Sequence, residues 1–136
     1  MISIGKICIA HYTPLSKRKD FLLQQLKNHN VVACEWFECE PAPSEFAGLY
    51  DDSRESWELK TQIGYSHSTP YRKLNKSDIS LLYKHLAIWT TIINDDIETC
   101  LVLEDDVILE KNFVNDFNYN LHVTPKDWDL IFIGSG

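Results

Sequence analysis

Three consecutive carboxylates, Glu104-Asp105-Asp106, close the apolar run Cys100-Leu101-Val102-Leu103, and Val107-Ile108-Leu109 follows at once. Like charges so close repel one another, and ending an apolar strand in them is costly unless a cation shares the place. Leu101 to Leu103 has the composition of a buried strand in a parallel sheet. In open α/β sheets the carboxyl ends of the strands are where ligands bind. Strand side chains alternate, which predicts Glu104 and Asp106 on one side and Asp105 on the other. Two hard oxygen ligands with no adjacent His or Cys suit Mn²⁺ or Mg²⁺ better than Zn²⁺. Such an ion keeps several waters and shares its remaining ligands with phosphates. The expectation is a divalent-metal site for a nucleoside diphosphate, with Asp106 and Glu104 as the metal ligands. The plainer alternative is a solvated turn or the negative entry to a helix. Asp51-Asp52 and Asp95-Asp96 show that paired acids alone carry little; position directly after an apolar strand sets this group apart.

The elements that must hold these acids can be read in order. Lys6 to Ala10 is a first strand, ending at His11-Tyr12-Thr13-Pro14, where Pro14 cannot continue a ladder. Leu15 to Asn28 has helical spacing through Phe21, Leu22 and Leu26. Its start carries Lys17, Arg18 and Lys19, which oppose the helix dipole and would be relieved by a bound anion. A solvated basic face is the simpler reading of that cluster. After the turn Asn28-His29-Asn30, Val31 to Phe37 is rich in strand formers, so strand, helix and strand make a βαβ unit. Glu40 to Asn75 is broken by Pro41, Pro43, Gly48, Gly64 and Pro70, with a short helix expected near Ser53 to Gln62. Tyr65, His67, Tyr71, Arg72 and Lys73 fall in this stretch and are available to a substrate, whereas Ser66-His67 lacks the third partner that nucleophilic catalysis needs.

Ser77 to Asn94 is the clearest helix, with Ser77 as cap and Asp78 in the first turn. Ile79, Leu82, Leu86, Trp89 and Ile93 form one apolar stripe, widened by Leu81, Ile88 and Ile92. His85 falls on the wider face, where spacing alone favours a satisfied core histidine over a ligand. A helix is expected from Glu110 to Leu121 and a buried strand over Asp129 to Ile133. The order β-α-β-loop-α-β-α-β is a Rossmann-like α/β layout with a mainly parallel sheet. Neither a Gly-x-Gly-x-x-Gly nor a phosphate-binding Gly-rich loop with Lys is present.

At 136 residues, 44% hydrophobic, the chain is one domain with material for a core. A net charge of −7 argues against a nucleic-acid surface and against a polybasic membrane anchor. No run reaches the ~20 apolar residues of a membrane span, and the N-terminus lacks a signal-peptide pattern. The spacing of Cys8, Cys34, Cys39 and Cys100 fits no zinc motif; Cys8, Cys34 and Cys100 sit in or beside apolar runs, so the expectation is buried free thiols in a reducing, cytoplasmic setting, with a disulfide left open but unforced.

With helix and acids both located, Leu74-Asn75-Lys76-Ser77-Asp78-Ile79-Ser80-Leu81-Leu82-Tyr83-Lys84-His85-Leu86-Ala87-Ile88-Trp89 and then Leu101-Val102-Leu103-Glu104-Asp105-Asp106-Val107 resemble family-25 glycosyltransferases. These include lipopolysaccharide sugar transferases and collagen galactosyltransferases. Trp128-Asp129-Leu130-Ile131-Phe132-Ile133-Gly134 is similar to the family's next strand. Asp78 stands where Glu is commoner, and Lys84 where Ser is commoner. The resemblance implies a GT-A fold and transfer of a sugar from a nucleoside-diphosphate sugar, often UDP-galactose, to a glycan or lipid-linked saccharide, with Mn²⁺ or Mg²⁺. It implies that residues 1–136 are the N-terminal, nucleotide-sugar-binding part of a longer enzyme whose acceptor half lies downstream. It turns His85 into a site residue beside Lys84, gives Asp105 to ribose or sugar hydroxyls and His11, Tyr12 and Thr13 to the nucleoside, and lets Arg18 either meet phosphate or pair with an acid. No general base is identifiable. Two other classes compete: a non-catalytic nucleotide-sugar or metal-binding domain, and a phospho-accepting receiver domain, which would want its acids after the first strand.

Overall fold

The computed structural model describes residues 2–31, 33–41 and 76–134. Its elements are β1 (Lys6–Ala10), α1 (Ser16–Asn28), β2 (Glu35–Phe37), α2 (Lys76–Asn94), β3 (Cys100–Glu104) and α3 (Phe113–Val123). The strands form a parallel sheet in the order β2-β1-β3. The chain thus steps from β1 to one neighbour through α1, then crosses back over β1 to reach β3.

Alternation along the strands sorts the core into two layers. Ile7, Ile9, Leu101 and Leu103 face α1 and pack with Leu22, Leu26 and Val31, with Phe113, Val114 and Phe117 of α3 at the margin. Cys8 and Ala10 face the other way, onto Phe37 and Ile88 of α2, with Cys100 and Val102 beside them. Helices therefore cover both faces of the described sheet, which is why β1 is apolar on every side chain from Ile7 to Ala10.

Both α1 and α2 end by the same device. Asn30 and Asp96 adopt left-handed backbone, with φ of 56° and 51°. The next amide then reaches back five residues, Val31 to the Leu26 carbonyl and Ile97 to that of Ile92. This closes the helix and turns the chain toward the next strand. At the other edge, Gly5 lets the chain pass close to β3, since a Cβ there would lie 2.9 Å from the Thr99 carbonyl.

Several expectations are corrected. The second strand is Glu35–Phe37 rather than Val31 to Phe37, because Val31 serves as the buried end of the α1 turn. The helix expected from Glu110 begins at Phe113. Asp129 to Ile133 is not in the sheet, and Phe132 is 88% exposed. An apolar run shows that burial would be favourable, not that a strand edge lies within reach. On α2 the expected stripe is turned outward among the described residues: Leu82, Leu86, Trp89 and Ile93 are exposed, while Ile79, Ser80, Lys84 and Ile88 are buried. α2 is apolar on more than one side, so its periodicity left the facing undetermined; the seam against the sheet admits the small Ser80 and the flexible stem of Lys84. The helix expected near Ser53 to Gln62, and Tyr65, His67, Tyr71, Arg72 and Lys73, lie outside the described residues.

Candidate functional site

The strand order reverses between β1 and β3, and an open α/β sheet leaves a crevice at the carboxyl ends of such a pair. Here the register sets Ala10 beside Glu104, so His11-Tyr12 and Asp105-Asp106 emerge side by side. A cleft of about 590 Å³ lies there, lined by His11, Tyr12, Arg18, Lys84 and all three acids of the Glu104-Asp105-Asp106 group.

Asp105 is the hub. Its Oδ2 accepts from His11 Nδ1 at 2.8 Å and from the Tyr12 amide at 3.3 Å, and its Oδ1 accepts from Arg18 Nη1 at 3.2 Å. A carboxylate can only accept, so the His11 proton sits on Nδ1 and Nε2 is directed toward Glu38, 4.0 Å away. Burial works against the charge on Asp105, but the bonds from His11, the Tyr12 amide and Arg18 together outweigh it and hold its carboxyl below the usual range. Asp105 therefore ties the end of β1 to the end of β3 and fixes the backbone of Tyr12.

The flanking acids take different partners. Glu104, still on the strand, follows the alternation to the α2 side, where His85 Nε2 meets its Oε1 at 3.3 Å. The strand stops at Glu104, and Asp106, in the turn, shares Arg18 Nη1 with Asp105 at 3.2 Å. The expected pairing of Glu104 with Asp106 on one side thus ends with the strand, because the turn redirects Asp106 toward α1. Gln25 of α1 holds the chain just beyond, donating to the Val107 carbonyl at 3.0 Å and accepting from the Leu109 amide at 2.7 Å.

Arg18 reaches the acids because two tight turns, Leu15 N to Tyr12 O and Arg18 N to Leu15 O at 2.8 Å each, start α1 directly after the β1 end. Tyr12 and Thr13 are exposed at this corner. Lys84 lies beneath it, 1% exposed, with Nζ bonded to Glu40 and, at 2.7 Å, to Ser80 Oγ, and 5.8 Å from the Tyr12 ring centroid. Its ammonium is committed to protein partners, so it holds the cleft floor to the segment after β2. His85 also stands against Trp89, ring centroids 6.1 Å apart.

Residues that sequence reasoning passed over are Glu38, Glu40, Ser80 and Gln25. Glu38 and Glu40 follow β2 as Asp105 and Asp106 follow β3, so the strand-end rule applied to the second strand would have found them. Lys19 donates to Glu38 at 2.5 Å, which holds that carboxyl below its ordinary range, and stands 4.7 Å over the Trp36 ring.

The sequence profile of "Glycosyltransferase family 25 (LPS biosynthesis protein)" matches residues 13–133. The chain belongs to glycosyltransferase family 25. Mouse (Mus musculus) procollagen galactosyltransferase 2 is 30% identical over 82 residues, 58% of this chain and 13% of that protein. The human (Homo sapiens) procollagen galactosyltransferase 2 is 32% identical over 74 residues, 52% of this chain and 12% of its own length. Human "Inactive glycosyltransferase 25 family member 3" is 26% identical over 103 residues, 66% of this chain and 17% of that protein. The chain thus spans less than a fifth of the length of these curated relatives. Membership removes the receiver-domain reading, and the acids stand after the third strand, not the first. The described α/β sheet agrees with the family's expected fold class, and no described helix is long and apolar enough to cross a membrane.

Whether these residues suit a hard divalent ion can be judged from the donor set. Among the described residues no three His, Cys, Asp or Glu side chains converge on one point, so a closed cage of the zinc type is absent. Asp106 and Glu104 are each about half exposed at the cleft and each bonds through one oxygen. One or two half-exposed carboxylates beside space for phosphate is the donor set that Mg²⁺ and Mn²⁺ accept.

Proposed function

We propose that this chain forms the donor-binding part of a hexosyltransferase that moves a sugar from a nucleoside-diphosphate sugar to a saccharide acceptor. Galactose, carried by UDP, is the reading favoured by the galactosyltransferases among its relatives. A glycan or lipid-linked saccharide is the acceptor class that the family description suggests. The observation that supports this most directly is the cleft at the strand-order reversal, lined by Arg18 and the Glu104-Asp105-Asp106 group.

In this reading the nucleoside lies against the corner His11-Tyr12-Thr13, with the exposed ring of Tyr12 as its platform. Asp105 works through others: it fixes the His11 tautomer and the Tyr12 backbone rather than meeting the sugar, because its oxygens are already engaged. Asp106 would hold Mn²⁺ or Mg²⁺, with Glu104, turned to the α2 side, reaching it through water; when bound the ion neutralises the departing diphosphate. His85 orients Glu104, and Lys84 ties the floor of the cleft to Glu40 beyond β2.

The test is calorimetric titration of UDP-galactose with and without Mn²⁺, on wild type and Asp106→Ala. Metal-dependent binding that the substitution abolishes is expected. Equal binding by both proteins would overturn the assignment. A catalytically silent donor-binding domain is the second reading, favoured by the relatives named as inactive. Release of galactose to saccharide acceptors or to water separates the two.

A further inference from the structure

One guanidinium nitrogen serves two carboxylates that differ in kind. Arg18 Nη1 lies 3.2 Å from Asp105 Oδ1 and 3.2 Å from Asp106 Oδ2. The Asp105 side chain is 9% exposed and the Asp106 side chain 56%. Asp105 also holds His11 and the Tyr12 amide, so its charge is covered by three donors. Asp106 shares that nitrogen from the solvent-exposed side. A surface pair of the second kind shifts an equilibrium by no more than about fivefold. It is therefore easily exchanged, whereas the buried bond is not.

Arg18 itself is half exposed and sits in the first turn of a thirteen-residue helix that carries no acid in that turn. An anion in the cleft beside Arg18 would meet the arginine and the positive pole of α1. A guanidinium forks onto phosphate oxygens with two parallel bonds, better geometry than the single nitrogen it gives each carboxylate here.

We propose that Arg18 is an exchangeable counter-cation: without donor it neutralises Asp106, and when a nucleoside diphosphate enters it passes to the phosphates, leaving Asp106 to a divalent metal. This rests on the donor-binding reading above. Metal and diphosphate then bind cooperatively, because each takes one member of the Arg18–Asp106 ion pair. The coupling is reciprocal by linkage: whatever factor UDP adds to Mn²⁺ affinity, Mn²⁺ adds to UDP affinity.

The experiment titrates Mn²⁺ alone, by its paramagnetic resonance signal, and UDP at saturating Mn²⁺, by calorimetry, on wild type, Arg18→Gln and Asp106→Ala. Arg18→Gln removes the internal competitor, so Mn²⁺ alone should bind about two- to fivefold tighter. The same variant loses a charge-assisted phosphate contact, so UDP should bind about tenfold weaker or worse. Opposite signs in one variant are the signature. Both affinities falling together, both rising, or neither moving would overturn the exchange. Should Arg18→Gln fail to fold, Arg18→Lys decides. Unchanged Mn²⁺ binding with UDP weakened about tenfold supports the proposal, since an ammonium keeps the charge but not the fork, and unchanged UDP binding refutes it. Loss of UDP binding in Asp106→Ala with no sign change in Arg18→Gln leaves the donor-binding reading intact and removes only the exchange. A wild type that binds neither Mn²⁺ nor UDP removes both.

Discussion

Asp105 is the residue whose removal should cost the fold most for its size. In Asp105→Ala the buried His11 Nδ1–H and the Tyr12 amide both lose their acceptor. Each unsatisfied group costs about 1–3 kcal/mol. Arg18 is half exposed and turns to Asp106 or water at little cost. The expected loss is about 3–4 kcal/mol at neutral pH, a large part of a small domain's stability. Asp105→Asn keeps the shape and one acceptor oxygen, which can still serve His11 and Tyr12. It forfeits the charge in the His11 bond and points an amide at Arg18, so about 1–2 kcal/mol is expected. Because its carboxyl is held below the ordinary range in the fold, Asp105 stabilises the protein above its unfolded pKa of about 4 and loses that contribution as pH falls through the lower folded value. The gap between wild type and Asp105→Asn should therefore be full at pH 7 and close as pH drops below about 4. Urea unfolding followed by tryptophan fluorescence, with Trp36 edge-on to His11 at 5.6 Å, reads both. An Asp105→Ala protein within about 0.5 kcal/mol of wild type, or a gap indifferent to acid, would refute the reasoning.

Other outcomes follow from the same contacts. Glu40→Ala removes the one carboxylate that the buried Lys84 ammonium meets among the described residues and should cost about 2–3 kcal/mol, whereas Lys84→Met leaves Glu40 to water and should cost about 1 kcal/mol or less; equal losses in urea unfolding would contradict the assigned burial. Cys8 is pushed up to about 12 by burial and by its neighbour Cys100, and burial raises Cys34 and Cys100 as well. At pH 8 a disulfide reagent should find exposed Cys39 first and reach Cys8 only as the sheet opens, so four thiols titrating in one fast phase would be the contrary result.

Local chemistry was legible before any coordinate. The first strand, both long helices and the strand bearing the acids follow from period and from turn residues such as Asn30 and Asp96, because these depend on neighbours a few positions away. The resemblance carried by the α2 and Glu104-Asp105-Asp106 segments led to the family that the profile match shows. His11, Tyr12, Arg18 and Lys84 line one cleft with the three acids, and His85 reaches it only through Glu104.

What the chain alone left open were choices between partners far apart in sequence. Periodicity marked α2 as apolar but could not say that Ser80, Lys84 and Ile88 would face the sheet while Trp89 faced away. Alternation placed Glu104 correctly and then failed at Asp106, since a turn obeys the nearest donor, here Arg18 on another element, and not the pleat. The three adjacent acids were one cluster in sequence. Folding divided them among a helix-borne histidine, a buried hub and an exposed rim, because each carboxylate's charge is settled by whichever donor the sheet order brings within about 3 Å.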